Sequence, residues 1–351
     1  MWGINSAFCD PVIFNLSNFN YLKFQGRRKR PRNRKSKTYI MKPIKNKLTE
    51  LLGVDYPIMQ APMGWIARAQ LASAVSNAGG MAIIETSSGE LDNIKEEIKK
   101  MRTLTDKPFG VNIALAFVRD PNIIQFVIDQ GVQFVSTSAG NPAKVVGPLK
   151  EAGLTVFHVV PSFQAAMKAI EVGVDGLIVE GIEGGGFKNP RGVASMVLLP
   201  MIAKKVNVPV IAAGGIIDGC SMAASFALGA QGVQMGTRMV SSAESPVHQN
   251  WKDAIVKASD QDTMILNQFS SPALRVLRTN RTNALEREAS IDYRAEFANV
   301  QDLYFGGDME ASAALTGQVA GRIESVKPVA QIIEETMTEF YDTIHSLGGN
   351  L

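Results

Sequence analysis

The sequence predicts an α/β protein built as a (β/α)8 (TIM) barrel, with a helical insertion after the eighth strand and a closing C-terminal helix. Three observations carry that expectation. Eight short apolar or β-branched runs alternate with helical stretches from Tyr56 onward. Helix after helix ends on a glycine, with an apolar strand beginning almost at once. Glycine turns follow the last two strands, at the end of a barrel where phosphate groups are held.

The strands are expected at 57–61, 81–85, 109–113, 134–138, 155–159, 176–180, 210–213 and 232–235. The joints Ala78-Gly79-Gly80, Gln130-Gly131, Ala152-Gly153, Val172-Gly173 and Leu228-Gly229 supply left-handed helix caps at the bottom of the barrel. An open doubly wound sheet would want G-x-G-x-x-G after its first strand, and Gln60-Ala61-Pro62-Met63-Gly64 does not supply it. The run Pro209 to Arg238 holds two consecutive strand-plus-glycine grips, Gly214-Gly215 and Gly236-Thr237, joined by a helix over 221–228. Bare backbone amides there suit a bound phosphate. Residues 240–307 are too long for an ordinary loop and are expected to form a helical insertion or lid. The helix expected over 326–347 puts Val329, Ile332, Ile333, Met337 and Phe340 on one face, which packing against the barrel explains.

The chain of 351 residues fits one large barrel with a tail, and no apolar run reaches the length of a membrane-spanning helix. Cys9 and Cys220 are its only cysteines, so a disulfide framework is absent and the cytoplasm is the expected compartment. Cys220 is expected to pack. The chain holds 36 Lys/Arg and 33 Asp/Glu, but residues 1–40 take nine of the bases and one of the acids. The remainder is therefore acidic by five charges, which does not suit a nucleic-acid binder. Residues 1–40 are expected to be a disordered basic leader, and residues 41–351 the barrel domain; a nucleic-acid arm is the sharper reading of the basic run.

At the C-terminal ends of the strands stand Gln60, Pro62, Met63, Glu85, Asn112, Ser136, Ser138, His158, Glu180 and Gln234. Few of these titrate, and no Ser-His-Asp order, HExxH, CxxC or paired-carboxylate spacing accompanies them, so hydrolysis and metal chemistry lack candidates. Amides and hydroxyls suit hydrogen bonding to a planar cofactor that carries the chemistry itself. The cluster Gly181-Ile182-Glu183-Gly184-Gly185-Gly186 is read as a ligand contact, with a flexible turn as the alternative.

The motifs QAPMG near residue 60, GVN at 110–112, EGIEGGG at 180–186, VPVIAAGGIIDG at 208–219 and ALGAQGVQMGTR at 227–238 resemble the nitronate monooxygenase (2-nitropropane dioxygenase) family. That family includes FMN-dependent enoyl-acyl-carrier-protein reductases and NAD(P)H:quinone reductases. The match runs from about Leu48 to Lys257, with GQVAGRIESVKPVAQII also typical. It implies a flavoprotein in which Gly214, Gly215, Gly236 and Thr237 hold the FMN phosphate, with Gln234 and Met235 along that edge. Ala61, Pro62, Met63 and Asn112 would meet the flavin ring, Gly185 and Gly186 would also contact the cofactor where the loop nears the substrate, and Gly184, Glu180, Phe187 and Lys188 would stand on the substrate side.

The family's histidine follows the glycine pair in an E-x-G-G-H pattern, and here Phe187 holds that position. Phenylalanine moves no proton, so flavin-mediated oxidation of a preformed nitronate, with O2 as the second substrate, is the expected activity. NAD(P)H-driven reduction of an enoyl thioester or quinone is the alternative, and a flavin-binding protein without turnover is the reading of another class. Lys188 is expected to be solvated, with a cation offered to the substrate as the alternative; His158 is the candidate to replace the missing base, against the reading of a satisfied hydrogen-bonding core histidine. His248 is expected to shape the lid. The IMP dehydrogenase type shares the GGI…LGA…GT pattern but needs a cysteine on the loop after the sixth strand, and 181–192 has none. A small-molecule substrate is implied, and a homo-oligomer is compatible with the sequence.

Overall fold

The computed structural model describes residues 42–88 and 91–349, so the expected leader over 1–40 lies outside the described residues. Nine strands make up the first part of the fold: β1 (Ile58–Gln60), β2 (Ala82–Glu85), β3 (Phe109–Ala114), β4 (Phe134–Ser138), β5 (Thr155–Val160), β6 (Gly176–Glu180), β7 (Gly186–Lys188), β8 (Val210–Ala213) and β9 (Gly232–Met235). All but β7 pair in parallel in the order β1-β9-β8-β6-β5-β4-β3-β2. A parallel bridge between Met59 and Met81 closes the ring. The eight-strand barrel is therefore borne out, with ends that differ from the expected ones by a residue or two.

Strand alternation sorts the side chains into two layers. Met59, Ile83, Phe134, Phe157, Ile178, Ile211 and Ala213 form one cluster, the barrel interior. Val111, Val135, Val156, Leu177, Val210 and Val233 belong to the larger cluster beneath the helices. Two phenylalanine rings fit inside because glycines stand beside them. A Cβ on Gly110 would come within 2.3 Å of Phe134, and one on Gly176 within 2.2 Å of Phe157. Below them the helix Lys47–Leu52, capped by Asn46, plugs the barrel with Leu48 and Leu52. The glycine joints take the expected left-handed backbone, Gly173 at φ 83° among them.

The segment after β9 is only partly helical, a correction to the expected helical insertion. It holds the helix Gln249–Lys257 and shorter helices, but also β10 (Thr263–Leu266) and β11 (Ala273–Leu277). These pair antiparallel with each other, and β11 pairs antiparallel with β7, so a three-stranded sheet reaches back to the loop after β6. This segment has its own apolar cluster around Met264, Leu266, Leu274 and Val276. His248 caps the helix Gln249–Lys257, its Nδ1 accepting from Asn250 N at 3.1 Å.

The C-terminal helix runs over Val329–Gly349, starting just after Pro328. Its five expected apolar residues are all buried. Glycine is required where it crosses the helix Gly219–Ala227, since a Cβ on Gly219 would meet Phe340 N at 2.1 Å. Cys220, expected to pack, is exposed instead, because the neighbouring Gly219 takes the close approach. Among the described residues no helix is long and apolar enough to cross a membrane.

Candidate functional site

The C-terminal ends of the barrel strands bring most of the expected residues together at one mouth. Gly214 and Gly215 sit at φ 83° and 81°, a pair of left-handed residues that turns successive amides outward. Neither amide donates to a protein acceptor among the described residues. A Cβ on Gly214 would stand 3.0 Å from both Gly181 O and Gly184 N, so the loop after β6 leans directly on this turn. Gly236 faces Ala61, its missing Cβ 3.5 Å from that of Ala61.

A third segment joins them that the strand-end reasoning did not include. Gly317 donates its N–H to Thr237 Oγ1 at 2.9 Å, and a Cβ on Gly185 would meet Gly317 N at 2.7 Å. The GQVAG run was the signal for it in the sequence. Gln234 points inward with a buried Oε1 that has no partner among the described residues, whereas Gln60, whose Oε1 is also unpaired, shares the helix-facing side of β1 with Ile58. Buried acceptors without partners are the kind a ligand N–H satisfies. Free amides on a left-handed glycine turn, with the unpaired Gln234 acceptor on the same barrel end, fit FMN. Met235 contributes through its backbone alone: its side chain lies in the helix-facing layer, while its carbonyl accepts Ala61 N at 2.9 Å.

The opposite side of the mouth is organised around Glu85, at the end of β2 and 1% exposed. Its carboxylate accepts from Trp65 N at 3.1 Å, from Ser87 N and Oγ at 2.8 Å each, from Ser88 N at 3.1 Å and from Ser88 Oγ. Arg68 adds an ion pair at 2.8 Å. Trp65 needs such a clamp, because its φ of 65° is left-handed and unfavourable for a residue with a Cβ. The clamp fixes the turn after Ala61-Pro62-Met63. Next to it Asn112 donates to Ser136 Oγ at 3.0 Å and to Ser138 Oγ at 3.4 Å, a polar floor on the inner face of β3 and β4.

The glycine-rich loop after β6 is anchored along its length. Glu183 accepts from Ser195 N and Oγ, Arg275 donates to Ile182 O at 2.8 Å, and Gln318 N donates to Glu183 O at 2.9 Å. The loop then enters β7, whose pleat sends adjacent residues to opposite faces. Phe187 turns into the lid, with ring centroids 5.0 Å from Phe117, 5.7 Å from Tyr293 and 5.8 Å from Phe297. Lys188 turns the other way and ion-pairs with Glu180 at the end of β6. The solvated lysine expected from the sequence is thus corrected: its side chain is 4% exposed, against 25% for Glu180. A Cβ on Gly184 would meet both groups, at 2.5 Å from Glu180 Oε1 and 2.8 Å from Lys188 Nζ.

His158 stands apart, and a catalytic role for it does not fit. It shares its strand face with Val156 and Val160, which pack beneath the helices, and its Nδ1 lies 2.7 Å from Thr137 Oγ1. Burial lowers its pKa to about 4 from the ordinary 6.5, hydrogen bonds at Thr137 and Gly140 offsetting only part of this. The unfolded chain therefore takes up a proton near pH 6.5 that the folded chain refuses until about pH 4. Stability from this residue is complete above pH 6.5 and is lost as the pH falls toward 4, by about 3 kcal/mol. Denaturant titrations of the wild type and of His158→Gln should show that acid-side fall in the wild type only; parallel curves would contradict it.

The comparisons with known proteins bear on the same mouth. A family model described as Nitronate monooxygenase matches residues 45–339. The chain is 37% identical over 251 residues to the (3aS,4S,5R,7aS)-5-hydroxy-7a-methyl-1-oxo-octahydro-1H-indene-4-carboxyl-CoA dehydrogenase of Rhodococcus jostii, covering 72% of this chain and 70% of that one. It is 29% identical over 360 residues to a nitronate monooxygenase of Paraburkholderia phytofirmans, covering 86% and 97%. Among solved structures, FabK from Thermotoga maritima aligns with a TM-score of 0.83 at 39% identity, covering 88% of this chain and 100% of that one. A nitroalkane oxidase from Streptomyces ansochromogenes aligns at 0.75 and 26%, covering 86% and 100%.

Proposed function

The chain belongs to the nitronate monooxygenase family and is an FMN-dependent oxidoreductase, and on that premise we propose that it oxidises the nitronate form of a small nitroalkane, with dioxygen as the final electron acceptor. The observation that carries this reading is Lys188. Among the described residues its ammonium donates to Glu180 alone, which leaves two of its three N–H groups for an anion in a site that water barely reaches. A nitronate brings the anionic oxygen such a group receives.

Gly214, Gly215, Gly236 and Thr237 hold the FMN phosphate in this reading, and Gln234 accepts from a ligand N–H group. Ala61, Pro62, Met63 and Asn112 meet the ring, held by the Glu85 clamp. When bound, FMN supplies the two-electron oxidation of the substrate and the return of those electrons to dioxygen. The chain's own work is to orient the substrate beside Glu180 and Lys188, and to keep water out with the Phe117, Phe187, Tyr293 and Phe297 rings.

Those rings favour a second reading, NAD(P)H-driven reduction of an enoyl thioester or a quinone, since an aromatic wall suits an apolar acyl or ring substrate. Similarity to a protein named as a CoA thioester dehydrogenase points the same way. Anaerobic mixing separates the two. Propane-2-nitronate is expected to bleach the flavin absorbance within the mixing experiment, and NADH or NADPH is not. Bleaching by a reduced nicotinamide alone rejects the nitronate reading and leaves the reductase.

A further inference from the structure

The Glu180–Lys188 pair is more than an anion receptor, and its charge balance says why. The two groups sum to zero in a site where Lys188 is 4% and Glu180 25% exposed. A nitronate entering from solvent adds one negative charge to that enclosed volume, which the spare N–H groups of Lys188 have to offset. A neutral nitroalkane carries no such charge in. If its α-proton then passes to Glu180, the negative charge moves from the carboxylate to the nitro oxygens and stays next to Lys188. The total charge of the site never changes.

We propose that Glu180 is the base that removes the α-proton of a neutral nitroalkane, and that Lys188 holds the nitronate oxygen as it forms. The inference rests on reading the site as one for nitroalkanes and their nitronates. The step is balanced within the site: the C–H bond breaks, its proton forms an O–H bond on the carboxylate, and the electron pair delocalises onto the nitro group as a carbon–nitrogen double bond. No oxidant takes part. Geometry separates the two roles. Glu180 is the more exposed partner and ends an inner-facing strand position, whereas Lys188 lies behind it on β7 with donors to spare. Gly184 packs directly against the pair and only glycine fits, since a Cβ there would stand 2.5 Å from Glu180 Oε1 and 2.8 Å from Lys188 Nζ. Phe187, one residue earlier on β7, packs against Tyr293 instead.

Proton removal can be read without following oxidation. The holoenzyme is mixed anaerobically with nitroethane in D2O, and loss of the α-hydrogen signal is followed by proton NMR. The wild type is expected to accelerate exchange at least ~100-fold over buffer, the scale of one positioned base. Glu180→Gln, whose amide oxygen still accepts from Lys188, is expected to fall to the buffer rate while keeping its FMN. Glu180→Asp, with its carboxylate one methylene short, is expected to lose at least ~10-fold and decides the matter if the glutamine variant does not fold. Exchange no faster than buffer in the wild type, or wild-type exchange in either variant, overturns the assignment. Rapid exchange in an enzyme that propane-2-nitronate fails to bleach leaves Glu180 as the base and removes the oxidation reading.

Discussion

Glu85→Ala is expected to destabilise the protein by about 3–5 kcal/mol, the scale of breaking a buried ion pair by removing one partner. Five donors on Trp65, Ser87 and Ser88 lose their acceptor at once, and the Arg68 guanidinium is left without its carboxylate. Trp65, at φ 65°, then keeps only Ser88 Oγ as acceptor for its N–H, at 2.8 Å, and Ser88 has itself lost Glu85, so the turn behind Ala61-Pro62-Met63 relaxes. At roughly 2 °C per kcal/mol for a chain of this size, Tm should fall by about 6–10 °C in the apoprotein. FMN affinity should fall as well, because the relaxed turn belongs to the ring side of the site. Glu85→Gln keeps the shape and one acceptor oxygen, and its loss should be smaller. Thermal melts of the apoproteins with FMN titrations decide it: an alanine variant that melts and binds like the wild type removes the clamp from the account.

Gly214→Ala is expected to yield protein that purifies colourless and binds added FMN at least ~10-fold more weakly, for a stability loss of only about 1–3 kcal/mol. The left-handed backbone at φ 83° is strained for alanine. The new methyl would also press on Gly181 O and Gly184 N at 3.0 Å, displacing the loop that roofs Glu180 and Lys188. Gly147→Ala is the matched control. It lies in the helix Val146–Glu151, and an added Cβ there meets nothing within 4 Å, so stability within about 0.5 kcal/mol of wild type and normal colour are expected. Equal FMN affinity in the two variants would remove Gly214 from the phosphate turn.

The barrel was legible in the sequence because its signals are local. Short apolar runs and helix-ending glycines are dictated by strand length and left-handed caps, and each is visible within about ten residues. The phosphate turn was legible for the same reason, as consecutive glycines need no partner to declare themselves. β10 and β11 escaped notice because Thr263–Leu266 and Ala273–Leu277 become strands only by pairing with each other and with β7, a contact 85 residues or more away in sequence. The roles of the charged residues escaped for a related reason. Glu85 reads as one acid among many until five donors converge on it, and Lys188 reads as surface until β7 is seen to turn it inward. His158 was misjudged through alternation: at the end of β5 it shares the face of Val156 and Val160, not that of Phe157.

β7 is three residues long, yet it divides two tasks between neighbouring side chains. In the proposed reading Phe187 meets the part of a substrate that extends toward Tyr293 and Phe297 while Lys188 meets the reacting charge, and the pleat sends the two side chains to opposite faces. The lid face can therefore drift in size and shape, through Phe187, Tyr293 and Phe297, without disturbing the ion pair beneath it. A barrel wired in this way can be retuned to new substrates one face at a time, which makes the short strand the natural handle for redesigning its selectivity while its proton chemistry stays in place.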